Sequence, residues 1–194
     1  MKNFTDDEIY SNQTIKNIDA KNSHFDGITF KNSKIEKINT NKSKFSKLGI
    51  IHSTIDTSDI SNNNWEEAYL KNSKITNCRA TGLDLTEGKL IDVKFINCKI
   101  DLSQYRFTEL KNADFKNCVL KNADFYGATI KNVKFKNCDL NESDFSSTKL
   151  TNVDFRGSRI NNIRIDIEQL KNITIDPSQI LNITNLLGLN IKSL

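Results

Sequence analysis

The sequence predicts an all-β fold in which nearly the whole chain winds into one parallel, four-sided coil. An apolar residue recurs at every fifth position from Ile15 to Ile180, and only Thr40 breaks this rule. A period of five matches neither the 3.6-residue repeat of a helix nor the two-residue alternation of a strand. The four cysteines lie twenty residues apart, which indicates that four five-residue units complete one turn of the coil.

Each unit combines a short extended piece with a turn. The residue two positions before the large apolar residue is small or apolar in most units, and the residue two positions after it is often Asn or Gly. Asn and Gly both tolerate a positive φ, so this position is where the chain turns. Two side chains per unit therefore point inward and the others face water. One unit cannot bury its apolar side chain alone, but stacked coils can.

Residues twenty apart are expected to stack in inward columns. At a strand spacing of about 4.8 Å, residues 11–175 give about eight coils. One column of large side chains and one of small side chains are especially regular, and we predict both as core ladders: Phe95, Phe115, Phe135 and Phe155, and Cys78, Cys98, Cys118 and Cys138.

These units resemble a known family. Residues 113–117 (Ala-Asp-Phe-Lys-Asn), 123–127 (Ala-Asp-Phe-Tyr-Gly) and 152–157 (Asn-Val-Asp-Phe-Arg-Gly) are similar to the pentapeptide-repeat consensus, Ala-(Asp/Asn)-(Leu/Phe)-any-any. The resemblance extends over residues 11–175 and implies the family's right-handed quadrilateral β-helix. Many units depart from the consensus, because Ser, Val or Cys stands where the family prefers Ala.

The two ends leave the repeat and are predicted to cover the coil. Residues 1–10 form the predicted N-terminal cap, in which Thr5 and Glu8 have capping-box spacing. Residues 176–194 form the predicted C-terminal segment, with a short helix that begins after Asp176 and Pro177 and stops at Gly188. We expect Ile180, Ile183 and Leu187 to face the coil.

In related members of this family the C-terminal segment pairs two subunits, so the resemblance implies a homodimer. The apolar residues of this segment would otherwise be exposed, which also favours pairing. The alternative is that residues 189–194 fold back along their own coil. The predicted dimer interface comprises Ile180, Ile183, Leu186, Leu187, Leu189 and Ile191.

No residue pattern predicts catalysis. Four cysteines in a line cannot surround a tetrahedral metal, and neighbours about 4.8 Å apart exceed the Cβ separation of a disulfide, so we expect buried free thiols. Carboxylates stand just before several large inward residues, where the family uses Asp structurally: Asp114, Asp124, Asp144 and Asp154. We expect a non-enzymatic protein with no catalytic residue, no cofactor and no metal.

Two departures from the repeat are noteworthy. Leu102 and Phe107 occupy turn positions and flank Tyr105. Either the coil is rebuilt locally so that they are buried, or these three residues form an apolar patch for a partner. Asn63 occupies an inward position beside Trp65, and we expect a distorted face there.

Charge limits the candidate functions. The formal net charge is +4, shared evenly between the halves of the chain, and no secretory signal or membrane span is evident, so we expect a cytoplasmic protein. The favoured function is a protein-interaction scaffold with an unknown protein partner. The resemblance also suggests DNA mimicry towards DNA gyrase, which a net positive charge disfavours. We expect no nucleic-acid and no membrane partner, although a basic stripe would favour nucleic acid and a continuous acidic face would favour mimicry.

Overall fold

The computed structural model describes residues 4–188 as one parallel β-solenoid of about eight coils with a short C-terminal helix. Its strands are β1 (Ile9–Ser11), β2 (Thr14–Lys16), β3 (His24–Asp26), β4 (Thr29–Lys31), β5 (Lys34–Glu36), β6 (Lys44–Ser46), β7 (Gly49–Ile51), β8 (Thr54–Asp56), β9 (Tyr69–Lys71), β10 (Lys74–Thr76), β11 (Lys89–Ile91), β12 (Lys94–Ile96), β13 (Glu109–Lys111), β14 (Asp114–Lys116), β15 (Thr129–Lys136), β16 (Asp144–Phe145), β17 (Lys149–Asp154), β18 (Arg164–Ile165) and β19 (Ile173–Thr174). Two 3-10 helices, Ile167–Asn172 and Pro177–Gln179, precede α1 (Ile180–Leu186).

The predicted twenty-residue period is confirmed by the register of the strands. All strand pairs are parallel, and each aligns residues twenty apart, as β12 and β14 align Phe95 with Phe115. Fifteen strands form one sheet over two adjacent sides of the coil, and single bridges twenty residues apart build most of the other two sides.

We name the four sides by their large inward columns. Face I contains Phe30, Ile50, Leu70, Leu90, Leu110, Ile130 and Leu150; face II contains Ile35, Ile55, Ile75, Phe95, Phe115, Phe135 and Phe155; face III contains Ala20, Thr40, Ile60, Ala80, Ile100, Leu120, Leu140 and Ile160; and face IV contains Phe25, Phe45, Trp65, Leu85, Tyr105, Phe125 and Phe145. All of these side chains are buried.

Two aromatic stacks meet in the centre of the coil. On face II, Phe115 stacks on Phe95 and on Phe135 with ring centroids 4.9 Å apart. On face IV, Phe125 stacks on Tyr105 and on Phe145 at 4.6 Å. The rings of the two stacks touch edge to face, for example Phe125 with Phe135 at 6.0 Å. The sequence predicts the first stack, and the structure adds the second and their contact.

All corners of the coil use the left-handed backbone conformation. The corner residue, two positions after each large inward residue, has a φ between 48° and 74° from Asp7 to Asn162. This confirms the turn predicted for Asn and Gly. It also holds where Lys, Glu, Thr or Ser occupies the corner, so the coil imposes the conformation on residues that do not favour it.

The prediction of a distorted face near Asn63 is wrong. Asn63 and Thr40, two polar residues at inward positions, form a hydrogen bond with each other. The Asn63 amide donates to the Thr40 hydroxyl at 2.8 Å, and its carbonyl oxygen accepts from the Ser43 N–H at 3.0 Å. Both Asn63 and Thr40 are buried, and Trp65 keeps its inward position. A buried polar residue with its hydrogen bonds made does not disturb the coil.

The N-terminal end is closed by Phe4 rather than by a capping helix. Its buried ring contacts Phe25 and Phe30 edge to face at 5.5 and 5.4 Å. The chain joins the coil already at Asp6, whose carboxylate accepts from the Asp26 N–H at 2.9 Å. The capping-box interpretation of Thr5 and Glu8 is therefore wrong, and only Phe4 and Thr5 of the described residues precede the coil.

At the C-terminal end, side chains take over the hydrogen bonds that a further coil would make. Carboxylate oxygens of Asp166 and Asp176 accept from the backbone N–H groups of Ser147 and Gly157 at 2.8 and 2.7 Å. The Gln169 carbonyl oxygen accepts from a third N–H, at 3.0 Å. These contacts satisfy backbone donors that would otherwise pair with another strand.

Within residues 4–188, no helix is long and apolar enough to cross a membrane.

Candidate interaction surfaces

Leu102 and Phe107 are the two large apolar corner residues in the described part of the chain. They have φ of 58° and 55° and are 55% and 53% exposed. A left-handed conformation costs a residue with a Cβ about 1–2 kcal/mol, and Asn or Gly would remove much of that cost. The coil is not rebuilt locally to bury Leu102 and Phe107, so the structure agrees with the second alternative, in which both side chains are exposed. Strain and exposure together mark them as candidates for contact with a partner.

Tyr105 does not belong to this surface. It is an inward residue of face IV, fully buried, and it stacks on Phe125. Burial raises the pKa of its hydroxyl above the ordinary value for tyrosine. The predicted patch of three residues is therefore corrected to two, which lie at the two corners that border face IV.

Phe107 is part of a small aromatic cluster that the sequence analysis missed. Its ring lies over Gly127 of the next coil, where a Cβ would come within 2.5 Å of the ring, and it meets Tyr126 edge to face at 5.8 Å. The Arg106 guanidinium lies 5.0 Å from the centre of the Tyr126 ring. We call Arg106, Phe107 and Tyr126 the aromatic corner. Aromatic residues and Arg are the types that dominate the binding energy of protein interfaces.

The coil sorts charge by face, although the chain shows no charged block along its length. We count the charged residues at the outward positions of each face together with those at the corner that follows it. Face IV has ten carboxylates and four Lys and Arg, a net charge of −6. Faces I and II together carry sixteen Lys and Arg against seven carboxylates, a net charge of +9, and face III is close to neutral. Reading residue types at a period of twenty would have revealed this separation.

The carboxylates that precede large inward residues have structural partners. Asp124 and Asp144 each accept from a backbone N–H two residues later, both at 2.8 Å. Asp154 does the same at 3.0 Å and also binds Arg156, whose guanidinium lowers the pKa of that carboxyl. Asp114 pairs with Lys94 at 3.5 Å. Within residues 4–188, His, Cys, Asp and Glu do not gather into a group that could hold a metal ion.

The four cysteines form the predicted inward column as free thiols, and each is 2–3% exposed. Each thiol lies within hydrogen-bond distance of a backbone carbonyl, for example 3.4 Å from Cys118 Sγ to the Phe95 oxygen. A hydrogen bond with the neighbouring thiol of Cys98, together with burial, raises the pKa of Cys78 above its ordinary value. A protonated, buried thiol is a poor nucleophile.

We therefore expect the four thiols to react slowly with a thiol reagent in the folded protein and quickly after denaturation. An added surface cysteine, Lys116→Cys, provides the control and should react quickly in the folded state, since Lys116 is exposed. Labelling followed by mass spectrometry measures each site. Rapid labelling of the four native thiols, or stoichiometric zinc in the purified protein, would contradict this prediction.

The C-terminal helix begins as predicted but turns a different face to the coil. Asp176 and Gln179 form a capping box, and Gly188 has a φ of 68°. Ile183 and Leu186 pack against the core, while Ile180 is 51% exposed and Leu187 is 43% exposed. The prediction that Ile180 and Leu187 face the coil is therefore wrong. The reason is that buried Gln179, which anchors the helix, sets its rotation.

The predicted dimer interface is thus only partly on the surface. Of its six residues, Ile180 and Leu187 are exposed, Ile183 and Leu186 lie against the coil, and Leu189 and Ile191 are outside the described residues. Leu181, which is 60% exposed, adds to the exposed apolar surface of α1.

A groove of about 700 Å³ lies at the N-terminal end of the coil. Its lining includes Phe4, Tyr10, Ile15 and Ile18. Tyr10, Ile15 and Ile18 belong to the first coil, which has no preceding coil to cover it, and Phe4 lies just before that coil. We attribute the groove to the end of the repeat.

Comparison with known proteins gives the same architecture. The pentapeptide repeat region family model matches residues 108–184. A trypsin-treated variant of QnrB1, a plasmid-mediated fluoroquinolone resistance protein, is 15% identical, with a TM-score of 0.53 over 95% of this chain and 97% of that chain. Full-length QnrB1 is 17% identical, with a TM-score of 0.43 over 91% of this chain and 100% of that chain.

HetL, a pentapeptide repeat protein involved in heterocyst differentiation regulation in the cyanobacterium Nostoc, is 13% identical, with a TM-score of 0.34 over 80% of this chain and 86% of that chain. The curated proteins contain no match to the sequence. Residues 108–184 match the pentapeptide repeat region model, and the same twenty-residue register continues through the described coil from β1 to β19.

Proposed function

We propose that this chain is a non-enzymatic scaffold that binds a protein partner on face IV. The observation that carries the proposal is the exposure of Leu102 and Phe107 at the two left-handed corners that border this face. Both side chains combine a left-handed backbone with exposure of more than half of their surface, although Phe107 also contacts Gly127 and Tyr126 of the next coil. Contact with a partner accounts for both features.

The surroundings of these residues indicate the chemistry of the partner. The aromatic corner extends the contact of Phe107 to the next coil through Tyr126. Face IV between and around the two corners has a net charge of −6. A partner that fits would present Lys and Arg around an apolar recess, because complementary charge speeds association while buried aromatic and apolar anchors supply most of the affinity.

The test uses two matched variants. Leu102→Asn with Phe107→Asn removes both apolar side chains and introduces a residue that favours the corner conformation, so the fold should be kept or stabilised. Lys42→Asn with Lys47→Asn changes the same two corners three coils away. A partner isolated from the host on the wild-type protein should bind the first variant at least about tenfold more weakly and the second within about twofold. Equal binding to all three proteins would refute the proposal.

A second candidate is an interaction with DNA gyrase in the manner of the family's DNA mimics, and the acidic face IV supports it. Charge density limits this candidate. Duplex DNA as long as eight coils, about 38 Å, carries about 22 charges, several times the net charge of face IV. Protection of purified gyrase from a quinolone in a supercoiling assay would support this candidate, and Glu66→Gln with Glu67→Gln should then weaken the protection.

We also propose that the chain forms a homodimer through α1. Ile180, Leu181 and Leu187 leave exposed apolar surface at the end of the coil. A two-fold axis at this end would bury the same surface of both copies. It would also prevent further coils from stacking end to end, which an open solenoid invites. Residues 189–194, which lie outside the described part, are the alternative cover for this surface.

Sedimentation decides between these arrangements. Wild type should run as a dimer at micromolar concentration, and Leu181→Asp should run as a folded monomer because its charge would be buried in the interface. Asn122→Asp adds the same charge at an exposed corner of the coil, away from α1, and should remain dimeric. Leu186 is unsuitable for this test because it packs against the coil. A monomeric wild type, or a dimeric Leu181→Asp variant, would refute the dimer.

A further inference from the structure

The corner between faces I and II carries two rows rich in lysine, which the coil of Ile51 and Thr54 interrupts. One row lies on face I just before the corner and the other lies on face II just after it. The rows span six coils, and the five strand spacings between the first and the last give about 24 Å. We call these eight residues the lysine stripe: Lys31, Lys71, Lys111 and Lys131 on face I, and Lys34, Lys74, Lys94 and Lys134 on face II.

Polar amides fill the corner between the two rows. The Asn132 amide donates to the Asn112 carbonyl oxygen at 3.1 Å, and the Asn152 amide donates to Asn132 at 3.1 Å. Asn112 donates in turn to Asp92 at 2.9 Å. Asn112, Asn132 and Asn152 each donate one hydrogen bond along this ladder, and all three side chains are exposed. Asn and Lys are among the side chains that contact nucleic-acid phosphates.

Most of the stripe is not neutralised by neighbouring carboxylates. Lys94 pairs with Asp114 at 3.5 Å, and Lys34 pairs with Glu36. The other six lysines have no ion pair within residues 4–188. Among the corner residues between the two rows of lysines, Asp92 carries a carboxylate. Six unpaired cations on one edge, within faces of net charge +9, form a linear electrostatic footprint.

We propose that the lysine stripe binds the phosphate backbone of duplex nucleic acid without regard to sequence. Lysines recur along this edge in five of its six coils, so a suitable complement is a linear polymer that carries negative charge along its length. In the described chain, the aromatic side chain that points outward from faces I and II is the half-buried Tyr69. A single strand would need several such rings for base stacking, which favours the duplex.

Other polyanions fit the stripe less well. The large exposed apolar side chains of the described chain lie off the stripe, so it offers nothing to insert into a lipid surface. The expectation that nucleic acid is not a partner rested on an even charge along the chain. The coil overturns that reasoning, because residues twenty apart along the chain become neighbours on one edge. The stripe lies away from face IV, so this proposal stands or falls independently of the protein partner.

The test is binding of a labelled duplex of about 20 base pairs, followed by anisotropy at about 50 to 200 mM salt. The first variant replaces five stripe lysines by Gln: Lys71, Lys74, Lys111, Lys131 and Lys134. The matched control replaces five lysines of faces III and IV and their corners by Gln: Lys21, Lys42, Lys44, Lys99 and Lys121. Both variants have the same net charge, so any difference between them reports position.

Wild type should bind the duplex with a dissociation constant of about 1 to 100 µM at low salt, and log K should fall steeply with log salt concentration. The stripe variant should bind at least about tenfold more weakly, with a salt slope smaller by about two units or more. The control variant should stay within about threefold of wild type. Thermal melting verifies that both variants fold.

Three outcomes would overturn the proposal. They are no duplex binding by wild type at low salt, an equal loss in both variants, or tighter binding of wild type to single strands or to anionic vesicles than to the duplex.

Discussion

Phe115→Ala is expected to destabilise the protein by about 3–5 kcal/mol, the range for deleting a buried phenylalanine. Phe115 is fully buried and stacks on two rings of its own column at 4.9 Å. It also touches Tyr105 edge to face at 6.2 Å. Its removal would leave a cavity between two aromatic stacks, and the coils above and below cannot close it because their backbones are hydrogen-bonded in register.

Chemical denaturation of Phe115→Ala beside Lys116→Ala measures this effect. Lys116 is the next residue on the same strand and is exposed, so its substitution should change the free energy of unfolding by no more than about 0.5 kcal/mol. Similar stabilities for the two variants would contradict the assignment of Phe115 to an inward position and of Lys116 to an outward position. A solenoid can lose cooperativity between coils, so the transition should be followed by two probes.

Gln179→Ala is expected to cost about 2–3 kcal/mol and to release the C-terminal helix, because buried backbone carbonyls would lose their partners. The Gln179 amide donates to the backbone oxygens of Phe155 and Ser158 at 2.8 and 2.6 Å. Its own carbonyl oxygen accepts from the Asp176 N–H at 2.9 Å. One side chain therefore joins the helix to the last coil.

Hydrogen exchange is the appropriate measurement for Gln179→Ala, since the loss is local. Amides of α1 and of the last coil should exchange faster, while those near Phe115 should be unchanged. Asn185→Ala, at an exposed position of the same helix, should leave the exchange of the coil unaffected. Unchanged protection in Gln179→Ala would show that another contact holds the helix.

The cap should also weaken in acid. Hydrogen bonds from Ser178 and from the Gly157 N–H lower the pKa of Asp176. A group whose pKa is lower in the folded state stabilises the protein above its unfolded-state pKa, and that contribution is lost as pH falls through the lowered value. The cap is therefore complete at neutral pH.

The aromatic corner contains contacts that the sequence alone does not predict. Phe107 and Leu102 stand out in the sequence because they interrupt a row of Asn and Gly, but the sequence does not show whether they are buried. Tyr126 and Arg106 give no such signal, since they occupy outward positions where any residue is allowed. Their contact with Phe107 depends on neighbours twenty residues apart and on the directions of their side chains.

The rotation of α1 is another example. The sequence predicts the start of the helix at Asp176 and its stop at Gly188, because caps are local interactions. Which side of the helix meets the coil depends on Gln179, whose partners belong to residues 155 and 158. Spacing within the helix alone cannot supply that information.

The coil, its twenty-residue turn, its inward columns and its corners can all be predicted from the residue pattern. These follow from a repeat that every unit satisfies and from the need to stack in order to bury it. The three-dimensional structure was needed to show which polar exceptions pair with each other and which apolar residues stay exposed. The physical reason is that those properties belong to side chains brought together across coils, whereas the repeat belongs to each unit separately.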